Sequence, residues 1–139
     1  MSHEDVEIVR RATGAFNRGD FGLVAELCDD DLEFVSVMTA VQETTYRGRD
    51  TWERYAADMR ETWAEWRLED LRLLDAGDHT VTVLMRLVGA GKRSGVPVDR
   101  EIGVVYRLRD GRLWRVRSYP DARLALEAAG LSEQRARGS

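Results

Sequence analysis

The chain has one cysteine, Cys28, so an intrachain disulfide is excluded. A zinc site built on paired thiolates is excluded with it. Its two histidines, His3 and His79, are too few for a site that needs several imidazoles. No apolar run approaches the roughly 20 residues that cross a bilayer, so no transmembrane helix and no membrane partner are expected. The opening stretch Met1-Ser2-His3-Glu4-Asp5 is acidic and lacks the basic start and apolar core of a secretory signal, which predicts a cytoplasmic protein. Basic excess is also missing. A net charge of -4 and a pI near 5.3 argue against nucleic acid as a partner.

What is present suits one folded domain. The 139 residues are 43% hydrophobic and 33% charged, enough for a single core. That domain is expected over 1–131, with a flexible polar tail at 132–139. Charge is unevenly spread. Residues 1–35 hold nine acids against three arginines, and residues 99–123 hold seven arginines against four acids. The second stretch reads as a solvated sheet face or an anion or partner surface.

The spacing of Val6, Val9, Thr13 and Phe16 predicts a helix over 4–17. Gly19 suits the left-handed position after it, and Asp20 suits the cap of a short helix over 21–27. Asp29-Asp30-Asp31 reads as a solvated turn, since a calcium loop needs alternating ligands and a glycine turn. Residues 32–38 read as a strand apolar on both faces. A loop through Gln42, Glu43 and Tyr46 leads to Asp50 or Thr51, either able to cap a helix to about residue 65. Its stripe is Trp52, Tyr55, Ala56, Met59, Trp63 and Trp66. Strands follow over 67–75, 80–88, 98–109 and 112–119, with hairpin turns at 75–79 and Asp110-Gly111. A three-residue loop at Arg109-Asp110-Gly111 sets Tyr106 opposite Trp114, with Ile102, Val104 and Val116 on the same face. A one-residue slip buries arginines and exchanges which of Arg100 and Glu101 faces inward. Asp121 caps a last helix over 122–129. The order α, α, β, α, β, β, β, β, α predicts an α+β fold: a curved, mainly antiparallel sheet wrapped by N-terminal helices into a cone.

Five short stretches, in this order, carry a family resemblance over roughly residues 4–131. They are Ala15-Phe16-Asn17-Arg18-Gly19-Asp20, Tyr46-Arg47-Gly48-Arg49-Asp50, Leu108-Arg109-Asp110-Gly111-Arg112-Leu113, Tyr119-Pro120-Asp121 and Ala125-Leu126-Glu127-Ala128-Ala129-Gly130-Leu131. With them the chain resembles the nuclear transport factor 2-like superfamily, and within it the SnoaL-like branch. The resemblance implies the cone fold and a pocket, but no one reaction, because the family spans isomerases, cyclases, dehydratases, epoxide hydrolases and binding modules. A ketosteroid-isomerase-like site would place its tyrosine at Ala12, its base near Ser36 and its second acid near Val104 or Val105. An epoxide-hydrolase-like site would place its charged groups near Val83, Met85 and Ser118. The SnoaL-like cyclases place an acid in the stretch that holds Ser118. None of these positions carries a proton-transfer group.

The candidate pocket is accordingly apolar and aromatic: Phe16, Phe34, Trp52, Tyr55, Met59, Trp63, Met85, Tyr106 and Trp114, with Arg100 and Ser118 as further polar members. Tyr55, Tyr106 and Arg100 would orient a carbonyl or carboxylate. No metal and no cofactor are expected. Two functions fit: a cofactor-independent isomerase, cyclase or dehydratase acting on a small hydrophobic or aromatic molecule, and a non-catalytic binding protein or dimeric scaffold. A homodimer is expected through the outer sheet face, on Val105, Leu113 and Tyr119 between Arg107, Arg115, Arg117 and Glu101. SnoaL-like proteins commonly pair this way.

Overall fold

The computed structural model describes residues 3–36 and 43–131. The expectations for Val37, Met38, Gln42 and the tail lie outside them. Two helices come first, α1 (His3–Asn17) and α2 (Phe21–Glu26). Between them Gly19 takes φ 76°, and the Asp20 carboxylate accepts from the Leu23 amide at 3.3 Å. Strands β1 (Cys28–Ser36) and β2 (Thr44–Arg47) lead to helix α3 (Thr51–Thr62). The Thr51 hydroxyl donates to the Gly48 carbonyl at 2.6 Å and fixes the turn into α3. Four strands follow: β3 (Trp63–Gly77), β4 (Thr80–Gly91), β5 (Pro97–Arg109) and β6 (Arg112–Tyr119). Helix α4 (Ala122–Ala128) starts where the Asp121 carboxylate accepts from the Leu124 amide at 2.9 Å.

The strands form one six-stranded sheet in the order β2-β1-β6-β5-β4-β3. Every pairing is antiparallel except β1 with β6. Helices α1, α2 and α3 cover the face that carries Phe34, Met85, Ile102, Val104, Tyr106 and Val116, and the main core lies between them. The expected α+β cone is the observed architecture.

Several local expectations are corrected. The acidic triad is not a turn. Asp29, Asp30 and Asp31 lie in β1, on a stretch where the register with β6 shifts. Tyr46 is not in a loop but in β2, opposite Phe34. Helix α3 ends at Thr62, about one turn early, because Trp63 turns extended and pairs with Gly91. Aromatic residues suit a strand as well as a helix stripe, and the long ladder with β4 takes them.

The last hairpin also differs. Asp110 and Gly111 form a two-residue turn with φ 53° and 74°, the conformation that matches the twist of its strands. A bulge follows between Arg107 and Leu108, so Tyr106 faces Val116 and Val104 faces Ser118. Trp114 is left as the extra residue, and Leu113 takes the inward place expected for it.

Two residues of the expected dimer face are covered by the chain itself. Val105 and Leu113 are fully buried within the one chain. Leu113 points into the core. Gly103 and Arg107, which flank Val105 on the outer face of β5, both meet α4: a Cβ on Gly103 would lie 2.3 Å from that of Ala125, and Arg107 donates to the Ala128 carbonyl at 3.4 Å. The last helix therefore crosses to the outer face. Among the described residues only Val96 and Leu124 are exposed large hydrophobics.

The arginine-rich stretch folds back on its own chain. Arg109 bonds the Asp29 carboxylate at 3.0 Å, Arg115 donates to the Asp31 carbonyl at 2.8 Å, and Arg117 pairs with Glu43. The acidic and basic segments of the sequence are brought together where β1 meets β6. These pairs are exposed, so each contributes little stability.

Candidate functional site

A cavity of about 50 Å³ lies between the three N-terminal helices and the sheet. Its aromatic wall is closely packed. Phe34 lies 4.8 Å from Trp52 and 4.9 Å from Tyr55, edge-on to the latter. Phe16 lies 5.8 to 6.0 Å from Phe21, Trp52, Tyr55 and Trp66. The Trp52 indole N–H donates to the Cys28 sulfur at 3.2 Å and pins the start of α3 to β1. Met59, Met85, Leu87, Ile102 and Val104 are also part of the apolar lining.

The polar groups at this lining are neutral. They are Tyr55, Tyr106 and Ser118 deep in the fold, with Thr13 and Asn17 toward solvent. No charged side chain lines the cavity among the described residues. The Tyr55 hydroxyl is hydrogen-bonded to Ser36; burial pushes its pKa well above the ordinary value, against the lowering by Ser36, and neighbouring Tyr46 adds to the rise. Tyr106 is shifted the same way, by burial first and then by Tyr55 and Cys28. Both hydroxyls therefore stay protonated and available as donors. Tyr46, its ring 5.8 Å from that of Tyr55, donates to Asp58 Oδ2 at 2.5 Å, and Asp58 does not line the cavity.

Burial also pushes the Cys28 thiol up to about 11, against the lowering by Trp52 and Arg49. The folded state thus favours the neutral thiol, and the thiolate is the reactive form. Its contribution to stability is fully present below the unfolded value and is lost as pH rises through about 11. Iodoacetamide at pH 8.5 should alkylate Cys28 in the native protein at least 100-fold more slowly than in urea; equal rates would contradict the burial. Among the described residues no group of three or more His, Cys, Asp or Glu is placed to hold a metal ion.

Of the residues expected in the pocket, Phe16, Phe34, Trp52, Tyr55, Met59, Met85, Tyr106 and Ser118 are brought together at the cavity. Three are not. Trp63 begins β3 and packs half-buried against the core outside the lining. Arg100 shares the inward face with Ile102 and pairs with Leu87, but its side chain is exposed near the start of β5; without a buried carboxylate partner a guanidinium stays in water. Trp114 lies on the other side, its ring between the guanidinium groups of Arg109 at 4.6 Å and Arg115 at 4.3 Å.

The lining residues not expected include Ala12, Asn17, Leu68 and Leu71. Leu68 and Leu71 sit three apart on a strand, a spacing that alternation sends to opposite faces. A bulge between Glu69 and Arg72, with Asp70 at φ 54°, restores both to the cavity. The one available signal was a leucine pair out of phase around an aspartate.

A family model described as a SnoaL-like domain matches residues 9–116. No curated protein matches the sequence. Among solved structures the chain is similar to an NTF2-like protein from Burkholderia thailandensis E264, at 24% identity and TM-score 0.74, with 91% of this chain and 96% of that one covered. It is similar to TerC, co-crystallized with polyporic acid, at 18% identity and TM-score 0.72, covering 91% and 98%. It is also similar to a protein with a ketosteroid isomerase-like fold from Catenulispora acidiphila DSM 44928, in complex with trimethylamine, at 20% identity and TM-score 0.66, covering 90% and 93%. At these identities the likeness is one of fold. The span of the family model contains every lining residue of the cavity except Ser118. The chain belongs to the SnoaL-like domain family, whose model matches well over half of its length.

Proposed function

We propose that this protein binds a small, neutral, aromatic molecule carrying a hydrogen-bond acceptor, and that it holds that molecule without moving a proton. The observation that carries the reading is the lining itself: aromatic and aliphatic walls with two tyrosine hydroxyls kept protonated and no charged side chain among the described residues. Proton abstraction needs a base ionised near the working pH. Neither tyrosine is one, and the nearby Cys28 thiol is pushed up to about 11. This favours the binding protein over the isomerase, cyclase or dehydratase.

A second reading has the ring walls in its favour. Aromatic faces attract cations, and the Catenulispora relative was crystallised in complex with trimethylamine. It ranks second because no carboxylate lines the cavity to offset the cost of burying a cation.

The test is a titration at pH 7 followed by tryptophan fluorescence, with acetophenone, benzoate and tetramethylammonium as probes. Acetophenone is expected to bind. Benzoate should bind at least 100-fold more weakly, because its charge is stripped of water without a partner. Benzoate or tetramethylammonium binding more tightly than acetophenone would reject the neutral-ligand reading. Tyr106→Phe should weaken acetophenone about two- to tenfold, the range for one neutral hydrogen bond. Arg100→Ala should leave it unchanged, because that side chain lies outside the cavity.

A further inference from the structure

The cavity is smaller than its ligand class. An apolar cavity of about 150 Å³ takes one benzene ring, and this one measures about 50 Å³. A ring enters only if a side chain leaves. Most of the lining is held in place. Phe34, Trp52, Tyr55, Met59, Met85 and Tyr106 are buried, and Trp52 and Tyr55 are also hydrogen-bonded. The lining residues that reach solvent are Thr13, Phe16 and Asn17 on α1 and Leu68 and Leu71 on β3. The mouth therefore lies between α1 and β3. Phe16 is the aromatic residue among them, and its ring lies within 6.0 Å of Phe21, Trp52, Tyr55 and Trp66.

We propose that the Phe16 ring is the cavity's own stand-in for a ligand ring, and that it acts as gate and size filter. This rests on the binding reading above and specifies it. Rotation of Phe16 outward through the mouth vacates a slot already walled by Phe21, Trp52, Tyr55 and Trp66. A planar monocyclic aromatic fills that slot and meets the same ring partners. Its acceptor oxygen lies toward Tyr106 and Tyr55. A second fused ring has no room while the Phe16 side chain stays at the mouth. Because only the open state binds, apparent affinity is reduced by the fraction of molecules that are open. Removing the ring removes that reduction.

The test compares Phe16→Ala and Phe16→Leu with the parent protein, using acetophenone and 2-acetonaphthone, which share one acceptor and differ by one ring. Phe16→Ala should bind acetophenone at least tenfold more tightly and with a faster on-rate, and its gain for 2-acetonaphthone should be larger still. Phe16→Leu should show smaller gains in the same order; it keeps apolar volume, so it decides the matter if the alanine variant does not fold. Affinities in a folded variant equal to or weaker than the parent's, with the parent binding acetophenone, would overturn the gate and leave the binding reading standing. No binding of either probe by any of the three proteins would overturn both.

Discussion

Trp52→Ala is expected to lower the stability of the fold by about 3–5 kcal/mol, the range for deleting a large buried aromatic. The indole is 6% exposed and, with Tyr55, joins three elements. It stands in the first turn of α3, lies against Phe34 on β1 and Phe16 on α1, and donates to Cys28. Its loss opens a void at the junction of all three. For a domain whose net stability is roughly 5–15 kcal/mol, that is a large share. Trp52→Phe keeps a ring against Phe34 and gives up the N–H donor, so its cost should be less than half. Urea unfolding measures both. The midpoint should fall while the slope stays constant, which marks a change in stability rather than in the area exposed. A loss below about 1 kcal/mol for the alanine variant, typical of a surface change, would show that α3 is held by other contacts.

The second large effect is expected at Gly103. A glycine inside a strand normally weakens it, so replacing it looks favourable from strand propensity alone. The packing says the reverse. A Cβ there would stand 2.3 Å from that of Ala125 and 3.4 Å from Leu84 Cδ2, so α4 has to move. Gly103→Val should therefore cost about 3 kcal/mol or more, the upper end for overpacking. Amide exchange in α4 should rise with it. The decisive variant is a pair. Gly103→Ala destabilises through the same clash, and Ala125→Gly costs about 1 kcal/mol in helix propensity. The double variant should be more stable than the sum of its parts, because the second change removes the atom that the first one strikes. Strict additivity would mean that α4 does not rest on Gly103.

Much of this architecture was legible in residue patterns. The capping aspartates at 20 and 121 and the alternation over 80–88 mark their elements correctly, and the cone follows from their order. The failures share one physical origin: places where a ladder, not local preference, decides. Trp63 and Trp66 continue a helical stripe by spacing, yet β4 claims them. Asp29-Asp30-Asp31 is turn-like by composition, yet it lies within β1 at the break in register with β6, where Arg109 pairs with Asp29. At the cavity, the buried aromatics were legible because few other places hold so many rings. Arg100 and Trp114 were misplaced because their positions depend on how far β5 runs past the cavity and on a bulge between Arg107 and Leu108. Neither leaves a local sequence signature. The mouth was not legible, since it depends on a second bulge, around Asp70.

The parallel pairing of β1 with β6 also sets the order in which the molecule can be made. Contacts such as Arg109 with Asp29 and Arg115 with Asp31 join residues 80 and 84 positions apart. At roughly 5–20 residues per second of synthesis, β1 waits on the order of 4–16 seconds for its partner strand to emerge. Until then β1 and β2 are an isolated two-stranded ribbon, which is marginal in water, and the aromatic residues of α1 and α3 have no closed sheet to cover. The meander β3-β4-β5 can pair as it emerges, since its strands are sequence neighbours. Long-range closure comes last and is slow. Folding of this chain should therefore run from its middle outward, with the ring-lined cavity among the last features to form.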